Sequence, residues 1–207
     1  MIDGRTRLRR FSRSYAVEGR AASGGQLSAD VLRVRLCAAD RLDRDQRARY
    51  ERISGFALDE PGSEFPFSSR LARDCDWSRE YALRVIGEYR RFSFLAVSAG
   101  HPVTPSDQVD QAWHLHLLYT RSYWERFCGE VLGTALHHEP TRGGPRERSK
   151  FSDWYARTLE SYRRLFGEEA PPDIWPASAI RFGEDLHFRR VNTRRAWVIA
   201  KPWARRS

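Results

Sequence analysis

Four of the six histidines in this 207-residue chain lie in one short stretch, and these residues could do chemistry. Asp110 precedes the first two and Glu139 follows the last two. Imidazole nitrogens and carboxylate oxygens bind zinc and iron, and an Asp–His pair can also transfer protons. These residue types therefore indicate a divalent-metal site or an acid–base site. The four histidines are His114, His116, His137 and His138.

The relation between Asp110 and His114 depends on the local structure. Thr104 followed by proline is typical of a helix start, and apolar residues then recur at helical spacing, so we predict one helix over about 104–132. On a helix, Asp110 and His114 share one face, whereas His116 lies about 200° around the axis from His114. The spacing therefore argues against a His-x-His metal pair and favours Asp110 with His114.

The loop that follows Gly133 offers the remaining ligands. Open zinc and iron sites use about three protein ligands with nitrogen and oxygen donors. Asp110, His114 and either His137 or His138 would meet that number, and the spacing leaves the choice open. A helix from His114 to Gly133 would be roughly 28 Å long, so the loop would have to double back along it. In the competing interpretation the histidines are structural and the domain is a non-catalytic protein-interaction module.

His116 falls on the apolar side of the predicted helix. We expect it to be a core residue whose imidazole hydrogen-bonds to a tyrosine or a backbone carbonyl. We expect further residues near the histidines to support the site. These supporting residues are Trp113, His116, Tyr119, Tyr123 and Glu139.

Helical patterns flank the histidine region on both sides. A short helix is predicted from Asp43, a longer one from an N-cap at Asp76 to Gly100, and another from about Glu147 to Phe166 with Gly167 as its end. Phe65-Pro66-Phe67 is predicted to be a buried loop anchor. The fold class is therefore mainly α: a compact helical domain with a small C-terminal strand-like hairpin.

The charge distribution divides the chain into three parts. Residues 1–50 contain 12 arginines against 6 acidic residues, residues 51–180 have a net charge of −3, and residues 181–207 have 8 basic residues against 2 acidic ones. We predict a poorly ordered basic extension over 1–40, a helical domain over 41–180 and a basic hairpin or tail over 181–207. Because the basic excess lies at the ends, no specific nucleic-acid partner is expected.

Composition also bears on localisation. No apolar run approaches the roughly 20 residues that span a bilayer, and no secretory signal is recognisable, so a cytoplasmic protein without a membrane span is expected. Cys37, Cys75 and Cys128 are widely spaced and form no Cys-x-x-Cys pair. They are expected to be reduced cysteines of a cytoplasmic protein. The interaction-module interpretation predicts another protein as the partner.

A family resemblance rests on the histidine region. The strings are Glu88-Tyr89-Arg90-Arg91-Phe92, Val109-Asp110-Gln111-Ala112-Trp113-His114-Leu115-His116 and His137-His138-Glu139-Pro140. They resemble the helical domain of the glycine-rich domain-containing protein family, in its short bacterial form without the glycine-rich tract. The resemblance implies a domain of unknown biochemical activity. It also implies that Asp110, Trp113, His114, His116 and His137 form one constellation.

Overall fold

The computed structural model describes residues 41–139, 141–183 and 197–199, and these residues are mainly helical, as the sequence predicts. Within them no strand occurs. The predicted hairpin lies largely outside the described residues. The helices are α1 (Arg44–Ser54), α2 (Phe67–Cys75), α3 (Arg79–Ser98), α4 (Asp107–Leu118), a π-helix (Arg121–Leu132), α5 (Pro145–Phe166) and α6 (Ser178–Gly183).

Helix α3 lies at the centre, with α1, α2, α4 and α5 packed against it. Its predicted apolar stripe is buried from Tyr81 to Leu95. Ala82, Ile86 and Phe94 lie off that stripe and are buried too, because α3 has neighbours on several sides. Burial on several sides is typical of a helix at the centre of a domain.

The start of α3 differs from the prediction. Its N-cap is Ser78, whose hydroxyl accepts a hydrogen bond from the Tyr81 N–H at 3.1 Å. Asp76 instead ends α2 in the left-handed region, with φ of 55°. Aspartate tolerates both positions, since its short side chain bonds to nearby backbone groups, and the sequence alone does not separate the two roles.

Helix α2 corrects the prediction that residues 65–67 form a buried loop anchor. Phe67 is buried as expected but begins the helix, and Phe65 is exposed. Pro66 at the N-cap position has no side-chain cap. The Asp59 carboxylate caps from a distance, accepting hydrogen bonds from the Ser68 N–H and hydroxyl, both at 2.7 Å. A cap nine residues upstream leaves no local sequence signal.

The single helix predicted over 104–132 is two helices. Ser106, and not Thr104, is the N-cap of α4, and its hydroxyl accepts from the Val109 N–H at 3.2 Å. The α4 helix ends at Leu118, and Tyr119 leaves the helical region with φ of −89° and ψ of 62°. This break separates α4 from the π-helix and removes the long straight rod that the pattern implied.

The π-helix keeps its apolar residues on one face by its wider winding. Its buried residues are Tyr123, Phe127, Cys128 and Leu132. These positions recur every four to five residues, which matches the about 4.4 residues per turn of i→i+5 hydrogen bonding. With α-helical winding, Leu132 would face away from Tyr123. Gly133, with φ of 72°, ends the π-helix as the sequence predicts.

Helix α5 follows its prediction closely. It begins with Pro145 in its first turn and ends at Gly167, where φ is 74°. Tyr155 and Tyr162 are buried on its inner face. Among the described residues, none of the helices combines the length and the apolar character needed to cross a membrane.

Candidate metal centre

One carboxylate and two imidazoles converge between α4 and the loop after the π-helix. Single donor atoms of Asp110, His114 and His138 all lie within 4.8 Å of one another. The His138 Nε2 atom is 2.8 Å from Asp110 Oδ1, and the His114 Nδ1 atom is 3.7 Å from Asp110 Oδ2. The two carboxylate oxygens therefore point to different histidines, and the three side chains form a cluster, which we call the Asp–His–His cluster.

Helix α4 positions two of the three donors. Asp110 and His114 are one turn apart, so their side chains lie on the same face of the helix. The Asp110 side chain is 18% exposed, whereas that of His114 is 49% exposed. The cluster is thus closed on the carboxylate side and open to solvent at His114.

The third donor comes from the loop 134–139. The His138 side chain is 17% exposed. The His138 ring makes a T-shaped contact with the Trp113 ring, with a centroid distance of 4.5 Å and an interplanar angle of 68°. The centroid of the His138 ring also lies 4.3 Å from that of the His114 ring. Packing between these two rings fixes the orientation of the His138 imidazole.

Two predicted loop residues lie outside the cluster. His137 is exposed, and its ring packs 5.6 Å from that of Trp124. Glu139 is also exposed. Neighbouring residues of an extended loop point in opposite directions, so His138 faces α4 while His137 turns away.

His116 is a core residue. It is fully buried, with its Nδ1 atom 3.0 Å from the Tyr89 hydroxyl and its Nε2 atom 3.1 Å from the Ser122 hydroxyl. Burial, reinforced by the positive charge of Arg126, lowers the pKa of His116 to about 4. The imidazole is therefore neutral at pH 7. It diverges from His114, as the helical spacing requires, and is not a ligand candidate.

The predicted supporting tyrosines have different surroundings. Tyr119 packs against Phe67 with ring centroids 5.5 Å apart, and it lies on the α2 side, at the break after α4. Tyr123 is fully buried beneath the cluster, and its hydroxyl accepts a hydrogen bond from Trp113 Nε1 at 2.8 Å. Tyr123 therefore contacts the residue that packs against His138, whereas Tyr119 does not take part in the cluster.

The described cysteines do not supply a nucleophile. Burial raises the pKa of the Cys128 thiol, and burial together with Asp74 raises the pKa of the Cys75 thiol to about 12. Both are free and remain protonated at neutral pH. A thiol is a weak nucleophile compared with a thiolate, which leaves the Asp–His–His cluster as the candidate site.

A comparison with protein families finds a match, and it covers this region. Residues 64–150 match the model of an uncharacterised family described as UCP032817-like, and this segment contains the whole cluster. Comparison with curated proteins and with solved structures gave no match. The resemblance to glycine-rich domain-containing proteins stays a prediction.

Proposed function

We propose that this protein binds a divalent transition metal, zinc or iron(II), through Asp110, His114 and His138. The observation that carries the proposal is the convergence of one carboxylate oxygen and two imidazole nitrogens within 4.8 Å, from two separate elements. A neutral imidazole and a carboxylate are the donors that zinc and non-haem iron use.

The geometry suits a metal with small adjustments. Donors bound to one ion at about 2.1 Å in tetrahedral positions lie roughly 3.4 Å from each other. The distances of 2.8 Å from Asp110 Oδ1 to His138 and 3.7 Å from Asp110 Oδ2 to His114 involve different carboxylate oxygens, and single donors of the three residues lie within 4.8 Å of one another. Rotation of the carboxylate and a small approach of the half-exposed His114 side chain would therefore be needed to bring three donors onto one ion. Binding would replace the Asp110–His138 hydrogen bond, whose proton would leave as the metal enters.

The proposed site belongs to the open class. Three protein ligands leave at least one coordination position for water or another ligand, whereas structural zinc sites close all four positions with protein atoms. The half-exposed side chain of His114 marks the solvent side on which that position would lie. A metal held in this way can polarise a ligand or lower the pKa of a bound water.

A second candidate function uses the same residues without metal. The 2.8 Å contact between Asp110 and His138 is the arrangement in which a carboxylate orients an imidazole for proton transfer. In that case His138 would act as general base or acid at the solvent-exposed side of the Asp–His–His cluster. Removal of metal would then leave the activity unchanged.

Metal titration of the full chain tests the proposal. Untagged protein, freed of metal by chelation, is titrated with Co²⁺ and then Zn²⁺, because Co²⁺ reports its ligands by its visible absorption. We expect one Co²⁺ per chain, displaced by Zn²⁺. Replacing Asp110→Asn, His114→Gln or His138→Gln should weaken binding by about 100-fold or more, since each removes one of three ligands.

His137→Gln is the matched control, because it removes the neighbouring imidazole that faces away from the cluster. Its affinity should equal that of the parent. Absence of Co²⁺ binding to the parent, or tight binding that survives His114→Gln, would contradict the proposal. A folded protein without metal affinity would favour the acid–base dyad or the interaction-module interpretation.

A further inference from the structure

Tyr123 joins both sides of the Asp–His–His cluster by hydrogen bonds. Its hydroxyl accepts from Trp113 Nε1 at 2.8 Å and donates to the backbone carbonyl of Leu136. Trp113 is on α4, one residue before His114, and Leu136 is in the loop, two residues before His138. One buried hydroxyl therefore links the helix that carries two donors to the loop that carries the third.

We propose that Tyr123 is a positioning residue for the metal ligand His138. This inference rests on the proposed metal site and adds a residue that holds one of its ligands without touching the ion. The hydroxyl has one proton and uses it on Leu136, while its oxygen accepts from Trp113, so neither partner is left unpaired. These two hydrogen bonds together fix the loop register in which His138, and not His137, faces Asp110.

The π-helix is what brings Tyr123 to this place. The break at Tyr119 redirects the chain, and the wider winding puts Tyr123 on the same buried face as Cys128. The Cys128 carbonyl in turn accepts the backbone N–H of Gly133 and that of Thr134, at 3.2 Å for the latter. The loop is thus held at its start by Cys128 and at its middle by Tyr123.

The surroundings of Tyr123 keep the hydroxyl protonated. Burial raises its pKa well above the usual tyrosine value, and the Trp113 N–H only partly opposes this. A tyrosine that stays neutral over the working pH range is a constant donor to Leu136. Groups that hydrogen-bond directly to metal ligands change metal affinity by about 10–100-fold when they are removed. Tyr123 bonds to residues beside the ligands, so we expect an effect at the low end of that range.

Tyr155→Phe provides a matched control for Tyr123→Phe. Tyr155 is also fully buried, and its hydroxyl also donates to a backbone carbonyl, that of Pro176 at 2.8 Å, but it lies on α5 away from the cluster. Both variants lose one buried hydroxyl, and Tyr123→Phe should lose more thermal stability than Tyr155→Phe, because it also removes the acceptor of the Trp113 N–H. All measurements are made in a stabilising osmolyte, so that both variants are compared as folded proteins.

Two readouts test the inference. By Co²⁺ absorption, Tyr123→Phe should bind at least about tenfold more weakly than the parent, and Tyr155→Phe should bind like the parent. By hydrogen exchange of the metal-free protein, amides of the loop 134–139 should exchange faster in Tyr123→Phe alone. Equal affinity and equal loop exchange in the two variants would overturn the inference while leaving the proposed metal site intact. If the parent bound no Co²⁺, the proposed function would fail, and the exchange result would decide whether Tyr123 positions the loop.

Discussion

Two histidines separated by one residue have opposite environments in this protein. His114 is half-exposed beside Asp110, whereas His116 is fully buried between α3 and the start of the π-helix. The difference follows from helix geometry, since residues two apart point about 200° apart. One residue is thereby available as a ligand, and the other is available as a hydrogen-bonding part of the core.

The buried His116 gives the fold a dependence on pH. Its pKa is lowered to about 4 by burial and by Arg126, whereas in the unfolded chain it is about 6.5. The unfolded state therefore binds more protons between these values. The stabilisation is fully present above pH 6.5 and is lost as pH falls towards 4, by about 3 kcal/mol in total.

Urea unfolding of metal-free protein at several pH values measures this loss. The His116→Gln variant should be less stable at pH 7, because Tyr89 loses its partner, but its stability should change less between pH 6.5 and pH 4. The polar and charged groups that face His116 are Tyr89, Tyr123, Ser122 and Arg126, and burial raises the pKa of both tyrosines further above this window. A variant with the full pH dependence of the parent would contradict the assignment to His116.

At the scale of elements, the break after α4 allows the loop that carries His138 to lie next to Asp110 and His114. A continuous α-helix to Leu132 would carry the loop roughly 28 Å away from His114. The structure instead ends α4 at Leu118 and continues in a π-helix that packs against α4. Gly133 then turns the chain so that His138 returns to Asp110.

Gly133 has a backbone conformation that other residues adopt at a cost. Its φ is 72°, and a Cβ atom would meet nothing within 4 Å, so strain alone determines the effect of a substitution. Gly133→Ala should destabilise the protein by about 1–2 kcal/mol. Gly133→Asn should lose less, because asparagine tolerates the left-handed region.

Gly87→Ala is the control for this prediction. Gly87 lies in the middle of α3 without a positive φ, and a Cβ there would also meet nothing within 4 Å. Alanine should stabilise that position by about 0.5–1 kcal/mol. Thermal unfolding of the two variants should therefore shift in opposite directions, and a shift in the same direction would show that backbone strain is not the cause.

The sequence predicts the regular parts of this architecture well. The α3 stripe from Tyr81 to Leu95, the ends at Gly133 and Gly167, and the shared face of Asp110 and His114 all follow from periodicity and glycine placement. Helix α2 is missing from the prediction because Asp59 caps it from a distance. The break at Tyr119 is also missing, because Tyr123 and Phe127 are four residues apart and fit an α-helix as well as a π-helix, so that only the later position of Leu132 distinguishes the two windings.

The choice between His137 and His138 could not be made from sequence. Both are histidines in the same loop, and only the loop register distinguishes them. The proposed basis of that register is the hydrogen bond from Tyr123 to Leu136, which joins residues of two different elements. Tertiary contacts of this kind have no signature in local spacing.

At the scale of the whole molecule, two neighbouring residues of α3 serve two different parts of the fold. Tyr89 faces the His116 side, whereas Glu88 faces α5 and the segment that follows it. The Glu88 carboxylate accepts from Trp175 Nε1 at 2.9 Å and from Arg91 at 3.1 Å. Phe92 lies between the two parts, with its ring 5.3 Å from that of Trp113 and 6.4 Å from that of Trp175.

The ion pair of Glu88 and Arg91 is largely removed from water. Their side chains are 9% and 14% exposed, and the Tyr162 hydroxyl hydrogen-bonds to both. Burial raises the pKa of Glu88, and Arg91 and the Trp175 N–H oppose that rise. Removing one member of such a pair leaves the other charge buried, which costs about 3–5 kcal/mol.

Glu88→Ala should therefore destabilise the protein by about 3 kcal/mol, the low end of that range because Glu168 also contacts Arg91 at 2.9 Å. Arg84→Ala is the comparison, since Arg84 pairs with Asp173 at 2.7 Å but both side chains are nearly half-exposed. Solvent screens that exposed pair, so its loss should cost less than about 1 kcal/mol. Urea unfolding of both variants measures the difference, and equal losses would show that burial does not set the strength of these pairs. The hydrogen-bond partners of Glu88 are Arg91, Tyr162 and Trp175, and none of these residues is a donor of the Asp–His–His cluster. A folded Glu88→Ala protein should therefore keep the Co²⁺ affinity of the parent.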